Sequence, residues 1–125
     1  MEQVQLPDQN LKTAAARGKP TLSAVPPVAF FALGAAMQNG ANKYGVGNYL
    51  QTGATASVFY DAMSRHLNQW YQGEDVDKDS GVHHLGHLMA SCAILLACER
   101  EGVLNDDRWH VSAPGDLRVN LSVVD

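Results

Sequence analysis

The chain has 125 residues, of which 46% are apolar, and its formal net charge at pH 7 is −4. This length predicts one domain with a modest hydrophobic core. The acidic balance and the absence of a basic block argue against binding to nucleic-acid polymers through phosphate contacts. The longest apolar runs, around residues 28–37 and 88–98, are too short to span a bilayer, so no membrane association is expected.

The chain divides into three predicted segments. Residues 1–18 are polar and alanine-rich and are predicted to form an N-terminal arm. Residues 19–102 carry the helical patterns and form the predicted catalytic domain. Residues 103–125 form an irregular C-terminal tail, in which residues 117–124 alternate weakly and are compatible with a short strand or an arm onto a neighbouring subunit.

The first long helix is predicted over about residues 28–39. Pro27 suits the first turn of a helix, and Gly40 is a natural terminator. The glycine-rich stretch that follows, residues 40–54, is predicted to be a loop. Lys43, Tyr44 and Asn48 lie within it, and a solvated lysine, a packing tyrosine and a turn asparagine are the simplest interpretation of these residues.

Two further helices are predicted on either side of an acidic turn, giving an all-α fold without strands between residues 27 and 101. The second helix ends near Gly73, and the third begins at Asp79 or Ser80 and ends before Gly102. The residues predicted to form their apolar faces are Val58, Phe59, Ala62, Met63, His66, Leu67 and Trp70, then Val82, Leu85, Leu88, Met89, Cys92, Leu95 and Leu96.

The two cysteines, Cys92 and Cys98, lie six residues apart in the third predicted helix. This spacing is neither a CxxC motif nor a disulfide framework, so a reducing cytoplasm is expected. Both thiols are predicted to be small buried apolar groups.

Three of the five histidines fall on the facing sides of the predicted hairpin. His66 precedes Gly73 by seven residues and His87 follows Ser80 by seven, which places each ring about 10 Å from the turn at a rise of ~1.5 Å per residue. His84 and His87 are spaced i, i+3 on one helix edge. Aspartates and a glutamate occupy the turn between the helices, at positions 74, 75, 77 and 79.

Neutral imidazoles beside carboxylates suit Mn²⁺, Co²⁺ or Zn²⁺, whereas Mg²⁺ prefers carboxylates and water. The competing interpretation is that each histidine is a hydrogen-bonded core residue. Lys43 and Arg65 are the best-placed cations for phosphate oxygens, although surface charges would have the same pattern. The turn lacks the glycine and glutamate of an EF-hand loop, and GxGxxG, P-loop and GxSxG motifs are absent.

Five motifs in order resemble the phage dATP/dGTP diphosphohydrolase family, which is related to MazG-like all-α nucleoside triphosphate pyrophosphohydrolases. They are KP at 19–20, VPP at 25–27, NGANKYGVGNY at 39–49, YDAMSRHLNQWYQGEDVDKDSG at 60–81 and HLGHL at 84–88. The resemblance covers about residues 19–98. It implies a bundle of three to four helices that hydrolyses dGTP or dATP to the monophosphate and pyrophosphate, with Mg²⁺, Mn²⁺ or Co²⁺, in the cytoplasm of a phage's host.

The metal motif departs from the MazG-like pattern. Those enzymes bind Mg²⁺ through ExxE on one helix and ExxD on the next, often within EELGDLL, and here HHLGHLM stands instead. His84 and His87 replace the acids, and no ExxE occurs upstream. Either the metal site is remodelled around histidine or the ancestral site is lost. Because the acidic turn lies beside the histidines, we expect a remodelled site, with ligands His66, Glu74, Asp77, His84 and His87. Of these, Glu74, Asp77 and His87 are the expected catalytic residues.

The remaining expectations concern the substrate and the assembly. Lys43 and Arg65 would offset charge on the leaving pyrophosphate, while Tyr44, Asn48 and Trp70 would contact the base or sugar. Open apolar helix faces predict a homodimer or homotetramer. Two alternatives are a non-catalytic nucleotide-binding or regulatory module, and a structural helical oligomer whose histidines are core polar groups.

Overall fold

The computed structural model describes residues 10–110, and these are mainly helical, which confirms the predicted all-α class. The helices are α1 Leu11–Ala16, α2 Pro27–Tyr44, α3 Asn48–Thr52, α4 Ala56–Tyr71 and α5 His84–Arg100, with a 3₁₀ turn at Leu22–Ala24. Two strands of two residues each, β1 Ala54–Thr55 and β2 Leu104–Asn105, pair in parallel. The predicted strand at 117–124 and the first nine residues of the predicted arm lie outside the described residues.

Helix α5 is the central element, because it packs against both α2 and α4. Small residues allow a close approach to α2: a Cβ added at Gly86 would lie 2.6 Å from the carbonyl oxygen of Ala32. Ala36, Val82 and Ala90 form the buried cluster between these elements. The core of the described residues is therefore small and built largely from alanine.

The predicted end of the first long helix at Gly40 was wrong, since α2 continues to Tyr44. A glycine inside a helix costs only about 1 kcal/mol, which packing against α5 can offset. Gly45 ends α2 instead, with φ +94°, and its N–H donates to the carbonyl oxygen of Ala41. The stretch predicted as one loop therefore contains the last turn of α2 and the short helix α3.

The predicted start of the third helix at Asp79 or Ser80 was also wrong, because α5 begins at His84. Asp77 accepts hydrogen bonds from within residues 72–83: its Oδ1 accepts from the Asp79 N–H and its Oδ2 accepts from the Ser80 hydroxyl. The Asp77 N–H donates to the carbonyl oxygen of Val82. The connection between α4 and α5 is thus a folded loop, which we call the acidic loop (residues 72–83).

The predicted apolar faces are correct only in part. Cys98 is fully buried, as predicted, but Cys92 is exposed. On α4 the face towards α5 holds the half-buried residues Phe59, Ala62, Met63 and His66, whereas Val58, Leu67 and Trp70 are exposed. The predicted absence of strands before residue 101 was wrong for β1, whose two residues are too few to show alternation.

Within residues 10–110, none of the helices combines the length and the apolar character needed to cross a membrane.

Candidate functional site

A cleft of about 800 Å³ runs along α5 and is walled by the second half of α2, the glycine-containing connection, α3, α4 and the acidic loop. It is bounded by apolar and aromatic side chains with polar groups between them. The polar and aromatic lining residues are Gln38, Asn39, Lys43, Tyr44, Asn48, Tyr49, Thr52, Phe59, His66, Asp77, Asp79, Ser80, His87 and Ser91. This size suits a ligand of nucleotide dimensions.

Three candidate metal ligands from three different elements meet in the cleft. His66 of α4, Asp77 of the acidic loop and His87 of α5 each offer one ligand atom, and these atoms all lie within 4.8 Å of one another. The two imidazole rings are stacked, with centroids 4.5 Å apart and an interplanar angle of 15°. The helix spacing that predicted facing histidines therefore brings His66 and His87 together as expected.

Ser80 connects two members of this cluster. Its hydroxyl donates to Asp77 Oδ2 at 3.0 Å and lies 2.6 Å from His87 Nε2. Ser80 was predicted only as a helix cap, so this contact was not expected. The available signal was the Asp77-x-x-Ser80 spacing in a turn, which allows the two side chains to bond each other.

The other two predicted ligands, His84 and Glu74, form a separate pair behind His66. His84 is fully buried, and its Nε2 lies 2.8 Å from Glu74 Oε1. On the other side of the same ring, His84 Nδ1 lies 2.8 Å from His66 Nδ1. Both nitrogens of His84 therefore have protein partners, and the five predicted ligands fall into two groups: three that line the cleft, and the pair of buried His84 with half-buried Glu74.

The imidazoles in the cleft favour the neutral state. Burial lowers the pKa of His66, and the neighbouring rings of His87 and His84 lower it further. Burial is also the main cause that lowers the pKa of His87; Asp77 opposes this, while the charges of His84 and Lys43 add to it. A neutral imidazole keeps a nitrogen lone pair, which is the form that binds a metal.

The carboxyl group of Asp77 favours the ionised state. Burial alone would raise its pKa, but hydrogen bonds from the Asp79 N–H and the Ser80 hydroxyl outweigh burial and lower it. An ionised carboxylate beside two neutral imidazoles is a donor set of two nitrogens and one oxygen. That set fits Mn²⁺, Co²⁺ or Zn²⁺. Its three ligand atoms are close enough to one another to bind a single ion of this class.

The predicted substrate-binding residues separate into two groups. Lys43, Tyr44 and Asn48 line the cleft together with the histidine cluster. Arg65 and Trp70 are not among the lining residues and are exposed on α4. Arg65 and Trp70 were predicted at the substrate because helical spacing alone does not determine which face of α4 lines the cleft.

Comparison with known proteins agrees with the resemblance seen in the motifs. The family described as dATP/dGTP diphosphohydrolase, N-terminal, matches residues 9–108. A protein of Salmonella phage PMBT28 named dATP/dGTP diphosphohydrolase is 27% identical over 100 residues, which are 79% of this chain and 34% of that protein. The chain thus spans about a third of that relative's length. No solved structure matches. Since the family match covers most of the chain, the chain belongs to the dATP/dGTP diphosphohydrolase family through the N-terminal domain of that family.

Proposed function

We propose that this chain hydrolyses a purine deoxynucleoside triphosphate, dGTP or dATP, to the monophosphate and pyrophosphate with the help of a divalent cation. The observation that carries the proposal is the cluster of His66, Asp77 and His87 inside a nucleotide-sized cleft. Membership of the family and the name of the phage relative support the substrate class. In a phage-infected cell the reaction would belong to nucleotide metabolism in the host cytoplasm.

The cation would be held by His66, Asp77 and His87. Once bound, a divalent cation supplies charge neutralisation at the phosphates and lowers the pKa of a coordinated water. One water adds across the anhydride: its oxygen bonds to the α-phosphorus, the bond from the α-phosphorus to the bridging oxygen breaks, and pyrophosphate leaves. The carboxylate of Asp77 can accept the water's proton, and the Ser80 hydroxyl, which donates to Asp77 Oδ2, would hold that carboxylate in place.

The substrate would be oriented by other groups that line the cleft. The Lys43 ammonium is close enough to His87 to affect that ring's pKa, so it can also offset charge on a departing pyrophosphate. Asn48 offers amide hydrogen bonds and Tyr44 an aromatic face to the sugar and base. Arg65 and Trp70 have no part in this proposal, because they do not line the cleft.

Assembly into a homodimer or homotetramer is part of the proposal. Val28, Phe30 and Phe31 at the start of α2 are 73%, 55% and 77% exposed. Neighbouring large apolar side chains on one helix are typical of a surface that a second subunit covers. Sedimentation equilibrium of the full chain tests this: a species of two or four chains is expected, and a monomer at all concentrations would contradict it.

The activity is tested by incubating the full chain with each of the four dNTPs and Mn²⁺, Co²⁺ or Mg²⁺, followed by mass analysis of the products. We expect dGMP or dAMP with pyrophosphate, and little product from pyrimidine substrates. Hydrolysis that depends on an added metal supports the enzyme.

Other outcomes favour the two alternatives. Thermal stabilisation by a dNTP without turnover would identify a binding or regulatory module, because a ligand that binds only the folded state raises the melting temperature. The absence of both turnover and stabilisation would favour a structural helical oligomer and overturn the proposal.

A further inference from the structure

The most completely buried polar side chain among the described residues is His84, with 0% exposure, and the proposed reaction does not use it. It lies at the first position of α5, where the acidic loop covers it and the Asp75 carbonyl oxygen accepts from its N–H. Each ring nitrogen has one side-chain partner: Nε2 lies 2.8 Å from Glu74 Oε1, and Nδ1 lies 2.8 Å from His66 Nδ1. A buried imidazole costs stability unless both nitrogens are paired, and here both are.

The hydrogen bonds along this chain of side chains fix where each proton lies. The oxygen of a carboxylate accepts hydrogen bonds, so the 2.8 Å contact places His84 Nε2 as the donor to Glu74 Oε1. The other nitrogen of the same ring, His84 Nδ1, is then the acceptor, and His66 Nδ1 is the donor across the 2.8 Å contact between the two rings. His66 therefore keeps its lone pair on Nε2, which is the nitrogen left free to bind a cation.

We infer that Glu74 and His84 are not ligands but positioning residues, which hold the His66 ring in the tautomer and orientation that present Nε2 to the metal. This inference rests on the proposed metal site. It assigns to Glu74 and His84 the role that carboxylates and carbonyls play behind the metal-binding histidines of many proteins. Glu74 lies at the outer end of this series of hydrogen-bonded side chains. Its side chain is half-buried in the acidic loop, so it can be substituted without disturbing the core.

The tautomers are measured first, in the full chain without metal, by ¹⁵N imidazole NMR spectra. We expect His66 to be protonated on Nδ1 and His84 on Nε2. A His66 ring protonated on Nε2 would overturn the inference, and so would a doubly protonated His84, because an imidazolium would donate to His66 Nδ1. Since no metal is present, this result does not depend on whether the chain is an enzyme.

The effect on metal binding is measured by titration with Co²⁺ and its visible absorption. Glu74→Ala removes the acceptor and is expected to weaken Co²⁺ binding roughly 10- to 100-fold, as for other outer partners of metal ligands. Glu74→Gln keeps an oxygen that accepts from His84 Nε2, so affinity should largely return and the absorption spectrum should match that of the wild type. Asp75→Asn removes a charge from the next position of the loop and is expected to leave the affinity within about 2-fold of the wild type, since exposed charges are screened.

The results separate this inference from the proposed function. If the wild-type chain binds no Co²⁺ and hydrolyses no dNTP, the proposed function fails, while the tautomers can still be as expected. If the wild type binds Co²⁺ and Glu74→Gln loses binding and changes the spectrum as severely as Asp77→Asn, then Glu74 is a ligand and the inference is wrong. Unchanged binding in Glu74→Ala would also overturn it.

Discussion

The two ends of the α4–α5 pair are closed in different ways. At one end the acidic loop joins the helices, and side chains make the contacts between them: His66 of α4 contacts His84 and His87 of α5. At the other end the contact is made by the backbone, because β1, which precedes α4, pairs with β2, which follows α5. There the N–H of Ser57 and its hydroxyl both donate to the Asp107 carboxylate, which caps the first turn of α4.

This difference separates a stabilising end from a reactive end. At the β1–β2 end the strand backbones pair with each other, and the Asp107 carboxylate accepts from Ser57. At the acidic-loop end His66 and His87 line a cleft, and each offers a ligand atom within 4.8 Å of the other and of Asp77. Substitutions at the two ends should therefore have different effects, on activity at one and on the free energy of unfolding at the other.

The largest expected effect is on activity at the acidic-loop end. His87→Ala removes a proposed metal ligand and should lower dNTP hydrolysis by roughly 10²-fold or more, since even outer partners of ligands contribute 10- to 100-fold. The helical circular dichroism should persist, because the half-buried ring leaves no large cavity. The control is His110→Ala, which removes an exposed imidazole bonded to Asp106. Full activity in His87→Ala would remove His87 from the site.

The convergence of His66 and His87 was predictable from sequence because helical spacing determines which residues share a face. That His87 lines the cleft while His84 is buried was not predictable. His84 and His87 are one helical turn apart on the same edge, and only the path of the acidic loop buries the former against Glu74. The same loop explains the wrong helix start: Asp79 and Ser80 are both good caps, and tertiary contacts decide that neither caps α5.

The second prediction concerns the β1–β2 end. Gly53 has φ +76°, and a Cβ there would lie 2.5 Å from the carbonyl oxygen of Val103. Gly53→Ala should therefore reduce the free energy of unfolding by about 2–5 kcal/mol, the sum of backbone strain and overpacking. Gly45→Ala is the matched control, because it has φ +94° but no atom within 4 Å of an added Cβ. Urea denaturation of both variants isolates the clash; equal losses would show that Val103 moves aside freely.

The short strands at this end could not be predicted. β1 and β2 have two residues each and lie about 50 residues apart, so no alternation in the sequence indicates them. Gly53 was part of a glycine-rich stretch, and nothing in that stretch distinguished a glycine required by a close contact from one that is merely tolerated. Only the position of Val103 makes the distinction.

The third prediction tests the helix contact that holds the reactive end in place. A Cβ at Gly86 would meet the Ala32 carbonyl oxygen at 2.6 Å, so Gly86→Ala should cost about 1–3 kcal/mol by forcing α5 from α2. Gly34 lies in α2, and a Cβ added there would have no atom within 4 Å. Gly34→Ala should therefore be neutral or raise the free energy of unfolding by up to about 1 kcal/mol, because alanine favours the helix. Thermal denaturation compares the two, and a Gly86→Ala protein as stable as Gly34→Ala would contradict the close packing.

The smallest expected effect is a pH dependence at the β1–β2 end. Hydrogen bonds from the Ser57 hydroxyl and N–H hold the pKa of Asp107 below its ordinary value of 3.8 in the folded chain. The unfolded chain therefore takes up the proton first as pH falls, so the stabilisation is complete above pH 3.8 and is lost as pH falls through the folded pKa. Asp107→Asn should thus have a lower free energy of unfolding than the wild type at neutral pH. This stability gap between the two proteins should narrow in acid.

Urea denaturation of both proteins between about pH 2 and pH 7 measures that gap across the window in which the carboxyl group titrates. Asp61→Asn removes the same charge from the middle of α4 and leaves the Ser57–Asp107 contact intact, so it corrects for the general effect of charge. The stability gap between the wild type and Asp61→Asn is subtracted from the gap between the wild type and Asp107→Asn. The remaining difference should be present at neutral pH and disappear below pH 3.8. A corrected gap independent of pH would mean that the carboxylate does not cap α4, and that backbone pairing alone closes this end.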